Sequence, residues 1–122
     1  MTHRVLVVDD EAVNRELLRY LLAAEYELLV AENAERGLEV LAQERPDLVI
    51  LDLHMPGMNG TEFVKRVRAA GDDIAGTRIA LYTGTDAGAA LRDFMHLMRI
   101  DHIIPKPGEP EGILAAVRAA LA

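Results

Sequence analysis

Four places in this chain put chemically capable side chains directly after short, unbroken apolar runs. Val5-Leu6-Val7-Val8 ends in Asp9-Asp10, Leu48-Val49-Ile50-Leu51 ends in Asp52, Ile79-Ala80-Leu81-Tyr82 ends in Thr83, and His102-Ile103-Ile104 runs through Pro105 into Lys106. A short branched apolar run fits a strand buried on both faces. A polar residue just past such a strand lies at the carboxyl edge of an open α/β sheet, where ligands bind. Gathered at one edge, three carboxylates repel one another and raise each other's pKa values. A hard divalent cation relieves that repulsion. Oxygen-only ligands in a chain without cysteine favour Mg²⁺, with Mn²⁺ or Ca²⁺ as substitutes. A carboxylate beside Mg²⁺, a lysine and a hydroxyl is equipped to attack a phosphoryl group and become an aspartyl phosphate. The metal and the ammonium would neutralise charge on the transferred group, and the hydroxyl would add a hydrogen bond.

The segments between these runs must bring the groups together. From Ala12 the apolar period becomes helical, with Val13, Leu17, Tyr20, Leu21 and Ala24 on one face and Asp10 as the expected cap. Tyr26 to Ala31 reads as a second strand. A helix from Ala34 to about Glu44 follows, capped by Asn33, with Ala34, Leu38, Leu41 and Ala42 as its apolar face and Gly37 weakening it. The third strand spans Leu48 to Leu53. The next helix spans Thr61 to Ala70 with Phe63, Val64 and Val67 inward, and Gly71-Asp72-Asp73 reads as a loop. After the fourth strand, Asp86 is the expected cap of a helix reaching about Met98. The last helix runs from about Pro110 to Leu121, with proline near its start where it is tolerated.

Strand and helix thus alternate five times. Connections of this length imply parallel strands, right-handed crossovers and helices on both faces. The natural architecture is a flavodoxin-like doubly wound (βα)5 sheet in the order 2-1-3-4-5. The order belongs to the fold class; the periodicity yields only the alternation. In that order strands one, three and four are neighbours and five follows, so all the polar groups above share one edge.

In Val7-Val8-Asp9-Asp10, Asp52-Leu53-His54-Met55-Pro56-Gly57-Met58-Asn59-Gly60, Thr83 and Lys106-Pro107, taken in order and at these intervals, the chain resembles a response-regulator receiver domain of two-component signalling. The resemblance covers the whole chain, residues 1–122, as one receiver domain; no output domain is expected within these residues, which are either a stand-alone receiver or part of a longer chain. It implies that Asp52 is the phosphoacceptor and that Asp10 binds Mg²⁺ directly with Asp52 and the backbone carbonyl of His54. Asp9 would act on the metal through water. Thr83 would bond a phosphoryl oxygen, Lys106 would pair with the phosphoryl charge, and the Lys106-Pro107 bond would be cis. The His54 ring and Thr85 are expected to flank the site and set the lifetime of the phosphoryl bond.

One position departs from the family pattern. Three residues before the lysine, where receivers often carry an aromatic switch, this chain has Ile103. Tyr82 should face the opposite side of its strand from Thr83 and is read as core. Output is expected from the face of the fourth helix, fifth strand and fifth helix, drawing on Leu91, Met95, Arg99, Ile103 and Arg118, with a phosphorylation-dependent homodimer as one form. The donor, a histidine kinase or histidine phosphotransfer protein, is expected to dock near the first helix beside Asp10. There Val13-Asn14-Arg15-Glu16-Leu17 resembles receivers of hybrid kinases and multi-step relays.

Competing classes fare worse. A phosphorylation-independent binding module on the same fold would not need Asp9, Asp10, Asp52, Thr83 and Lys106 together. A flavin protein needs a phosphate-binding loop after the first strand, where Asp9-Asp10-Glu11 repels phosphate. A haloacid-dehalogenase-type phosphatase wants a second aspartate at the place of His54. The expectation is therefore no turnover of an external substrate, only self-phosphorylation and slow self-dephosphorylation. The 122 residues are 51% hydrophobic with a net charge of −7. That balance argues against disorder and against a DNA-tracking surface. No apolar run is long enough to span a bilayer, and the start lacks a signal-peptide layout, so a cytoplasmic location is expected.

Overall fold

The computed structural model describes residues 2–53, 55, 57, 59–84, 88–106 and 108–122. The expectations on His54, Thr85, Asp86 and the Lys106-Pro107 bond lie outside the described residues. Strands β1 (Arg4–Val8), β2 (Glu27–Ala31), β3 (Leu48–Leu51), β4 (Arg78–Thr83) and β5 (His102–Pro105) pair in parallel in the order β2-β1-β3-β4-β5. They alternate with α1 (Ala12–Leu22), α2 (Ala34–Glu44), α3 (Gly60–Ala69), α4 (Ala89–Leu97) and α5 (Pro110–Leu121). Among the described residues, no helix is long and apolar enough to cross a membrane.

The period of two along each central strand builds two cores. Val5 and Val7 of β1, Leu48 and Ile50 of β3, and Ala80 and Tyr82 of β4 pack against Leu18 and Leu22 of α1 and Ile113 and Val117 of α5. Leu6, Val8, Val49, Leu51, Ile79 and Leu81 point the other way, against Val40 and Leu41 of α2, Phe63, Val64 and Val67 of α3, and Met95 of α4. Helices therefore cover both faces, and Tyr82 is core as its strand parity requires.

Several local expectations change. Asp10 does not cap α1: the N-cap is Glu11, without a side-chain cap bond. The inward face of α1 is also rotated from the expected one. Leu18 and Leu22 are buried, while Val13 is 76% and Tyr20 84% exposed and Leu17 is exposed as well. The cause lies in the first turn of the helix. Asn14 Nδ2 donates to Asp9 Oδ2 and Arg15 Nη1 donates to the Asp9 carbonyl. These bonds turn the Asn14–Leu18–Leu22 row inward, a row at i, i+4 and i+8.

Asn33 does cap α2, accepting from Arg36 N at 2.7 Å. Its buried face, however, includes Gly37 and Val40, and Ala42 is exposed. Gly37 is there for close approach: a Cβ would lie 2.9 Å from Val8 Cγ2 and 3.0 Å from Phe63 Cε2. Strand β2 begins at Glu27, β3 ends at Leu51, and the Gly71-Asp72-Asp73 loop contains a helical turn, Asp72–Ala75. Met95, expected on the output face, is buried in the core; Leu91 and Ile103 are partly buried against it.

Arg68 of α3, unremarkable in the sequence, ties three segments together. Its guanidinium donates to the carbonyls of Met98, Arg99, Ala75 and Thr77. The first two belong to the C-terminal end of α4, where helix carbonyls otherwise lack partners. Burial pushes the Arg68 pKa below its usual value, with Arg99 adding to the effect.

Candidate functional site

The ladder of the sheet runs one residue beyond the strand ends. Asp9 N donates to Ala31 O and Asp52 N donates to Val8 O, each at 3.1 Å. These bonds set Asp9 and Asp52 side by side at the carboxyl edge, on adjacent strands. Asp9 is 1%, Asp52 3% and Thr83 4% exposed, the buried polar residues of the described chain. Asp10 is exposed at the mouth. One carboxylate oxygen from each of Asp9, Asp10 and Asp52 can be chosen so that all lie within 4.8 Å of one another. Three hard, anionic oxygen donors at that spacing fit a small divalent cation, and their mutual repulsion favours taking one up.

Asp9 is held by two hydrogen bonds. Its Oδ1 accepts from Glu11 N at 2.9 Å and its Oδ2 from Asn14 Nδ2 at 3.1 Å. Burial is the largest influence on its acidity and raises its pKa, and the Asp52 charge adds to the rise. The Glu11 amide, Lys106 and Asn14 oppose it.

Lys106 enters from beyond β5. Its Nζ lies 3.4 Å from Asp52 Oδ2 and 4.0 Å from Asp9 Oδ2, and it sits over the Tyr82 ring at 5.2 Å from the centroid. An ammonium within about 6 Å of a ring centroid is attracted by the ring's quadrupole. Burial holds the Tyr82 hydroxyl above its usual pKa, so the ring stays neutral. Thr83, at the end of β4, pairs in register with Pro105.

The structure thus brings together Asp9, Asp10, Asp52, Thr83 and Lys106, as their positions at strand ends predict. Sequence reasoning missed Asn14, Arg15 and Gly84. Asn14 was detectable as a polar residue heading the Leu18–Leu22 row. Gly84 is required by close approach: a Cβ there would stand 2.1 Å from the Lys106 carbonyl oxygen. Gly84→Ala must therefore push the chain after β5 outward, at a cost of roughly 1–3 kcal/mol by analogy with overpacked cores. A lower denaturant midpoint is the expected result; an unchanged midpoint would mean that the two backbones separate without strain.

A parallel sheet in this order, with acidic groups at its carboxyl edge and a lysine across from them, defines a doubly wound domain of the receiver type. The family model of the response regulator receiver domain matches residues 5–118, and the chain belongs to that family. Response regulator MprA of Mycolicibacterium vanbaalenii is 36% identical over 132 aligned positions, covering 99% of this chain and 51% of the relative. MprA of Mycobacterium tuberculosis is 35% identical with the same coverage. The chain spans about half the length of these curated relatives. Among solved structures, chemotaxis protein CheY4 of Vibrio cholerae superposes with a TM-score of 0.91 at 29% identity, covering 99% of this chain and all of that one. A CheY-like receiver domain protein from Methanospirillum hungatei does so with a TM-score of 0.86 at 26% identity, covering 99% and 94%. Receiver domains take phosphoryl groups from histidine kinases and are signalling modules, not enzymes in the general sense.

Proposed function

We propose that this domain is a Mg²⁺-dependent phosphoacceptor switch with Asp52 as the acceptor. The observation that carries the reading is the placement of Asp52: buried at the end of β3, 3.4 Å from the Lys106 ammonium and within cation-sharing distance of Asp9 and Asp10. An Asp52 carboxylate oxygen forms an O–P bond as the donor's bond to phosphorus breaks, and the bonding pair leaves with the donor. Lys106 meets the negative charge of the arriving phosphoryl group, and Thr83 supplies a hydroxyl to one of its oxygens. Asp10 and Asp52, with the His54 carbonyl, would hold Mg²⁺ or its substitute Mn²⁺, and Asp9 would act through water. Both Asp9 oxygens already accept a protein hydrogen bond, which suits that outer role. The cation, when bound, neutralises charge on the phosphoryl oxygens. Hydrolysis of the acyl phosphate returns the carboxylate and resets the switch.

The donor is a histidine kinase or histidine phosphotransfer protein that docks on α1. The exposed apolar row Val13, Leu17 and Tyr20 begins three residues after Asp10, so a partner seated there is next to the site. Output runs through the surface of α4, β5 and α5, to a partner or a second copy of the chain. Ile103 stands where the family's aromatic switch would be, so the coupling takes another route. The domain acts in the cytoplasm and without direct contact to nucleic acid.

Intact mass after incubation with acetyl phosphate and Mg²⁺ tests the reading. One added phosphoryl group is expected with the metal and none with a chelator. Should acetyl phosphate and a phosphotransfer protein both leave the mass unchanged, and beryllofluoride fail to bind, the phosphorylation-independent binding module becomes the better account.

A further inference from the structure

The Lys106 side chain has to arrive at Asp52 from the edge strand β5, and two residues, Tyr82 on β4 and Gly84 just past its end, determine how it does so. Gly84 lets the Lys106 backbone come into contact with β4, as the 2.1 Å approach of a hypothetical Cβ to the Lys106 carbonyl requires. Tyr82, two residues earlier, meets the side chain, with its ring centroid 5.2 Å from Nζ. The ring itself cannot yield. Tyr82 is fully enclosed, pairs in register with Ile104, and is packed with Ile113 and Val117 of α5 and Leu18 of α1. The ammonium donates one long hydrogen bond to Asp52 Oδ2, at 3.4 Å, and lies 4.0 Å from Asp9 Oδ2, so it spans the two carboxylates rather than closing tightly on either. A tight ion pair with Asp52 would oppose the acceptor chemistry by occupying the oxygen that must attack. A free lysine would spend its time in solvent.

We infer that Tyr82 is a positioning residue for Lys106: its buried ring seats the ammonium beside Asp52 without consuming the carboxylate. This rests on the phosphoacceptor reading above and adds to it. The ring offers attraction with no lone pair for a proton or a metal, so the lysine can swing from the carboxylates to an arriving phosphoryl group while its stem stays on the same support. The seat also joins the site to the α1–α5 core through a side chain on β4, in a chain whose usual aromatic position is Ile103.

Lys65 and Lys106 are the only lysines in the sequence, so lysine-labelled NMR resolves the seat directly. The ε-methylene protons of Lys106 should be shifted upfield of those of Lys65 by the ring current. Tyr82→Phe should retain the shift and Tyr82→Leu should lose it. With acetyl phosphate and Mg²⁺, Tyr82→Phe should gain phosphate within about twofold of the parent rate, and Tyr82→Leu roughly tenfold more slowly. In a Lys106→Met background, Tyr82→Leu should slow the residual reaction no further, because the ring acts only through the lysine. An equal slowing in that background would reveal an ordinary packing loss and overturn the inference. So would a parent Lys106 signal no different from that of Tyr82→Leu. No phosphoryl gain in the parent would instead overturn the acceptor reading and the role given to the ring, with the lysine signals still deciding whether the ring seats the ammonium.

Discussion

Asp52→Asn is expected to take up no phosphoryl group at all from acetyl phosphate. Asparagine matches the aspartate in size, so the buried end of β3 need not rearrange, yet the amide lacks a nucleophilic oxyanion. The neighbouring carboxylates do not substitute for it. Asp9 has both oxygens engaged by Glu11 N and Asn14, and Asp10 is exposed at the mouth, away from the buried floor that Asp52 shares with Thr83. The same change removes the negative charge from one of the three oxygen donors clustered there. Loss of a mere supporting residue around a metal commonly costs about 10–100-fold in affinity, so Mg²⁺ binding should weaken by at least about tenfold. Intact mass reads the first effect and titration calorimetry the second. Parent-like phosphoryl gain in the variant would move the acceptor to Asp9 or Asp10.

Phe63→Ala carries the largest expected effect on stability. Phe63 has no solvent exposure and belongs to the core of the α2–α3 face. Its ring edge lies where a Cβ of Gly37 would be only 3.0 Å away, so the helix α2 is already drawn in against it. Removing the ring leaves a void that α2 cannot close, because Val8 holds the other side of the same contact. Truncations of this kind cost about 3–5 kcal/mol. For a domain of this size that is a drop in Tm on the order of 10–20 °C. Thermal and denaturant unfolding check it; a loss below about 1 kcal/mol would mean that the core collapses around the gap, against the close packing described above.

The strands, and the gathering of the candidate site residues at one sheet edge, were readable in the sequence because their signals are local. A continuous run such as Leu48–Leu51 has one reading when a carboxylate and a Pro/Gly-rich loop follow it, and the polar ends of four such runs fall at one edge once the order is supplied. The helices were less readable where a polar contact decides their rotation. Val13, Leu17 and Tyr20 form as good an apolar row as Leu18 and Leu22; the bond from Asn14 to Asp9 chooses between them, and periodicity contains nothing of it. Gly37 looked like a weakness because propensity scores the helix in isolation, whereas the structure uses the missing side chain to bring α2 onto Val8 and Phe63. The work of Arg68 and the seat of Lys106 on Tyr82 depend on residues far apart in the chain, which no local pattern records.

Four of the five strands, β1, β3, β4 and β5, carry the site at or just past their ends, and its last piece in chain order, Lys106, follows the edge strand β5. A chain still emerging from the ribosome can already have made Asp9, Asp10, Asp52 and Thr83, but the ammonium that faces them, that of Lys106, comes into place only when β5 pairs with β4. With contacts this distant in sequence, closure of the loops comes late and folding is slowed by topology. On the phosphoacceptor reading, a chain whose β5 has not yet paired with β4 would hold the carboxylates without their lysine and would be a poor phosphoryl acceptor.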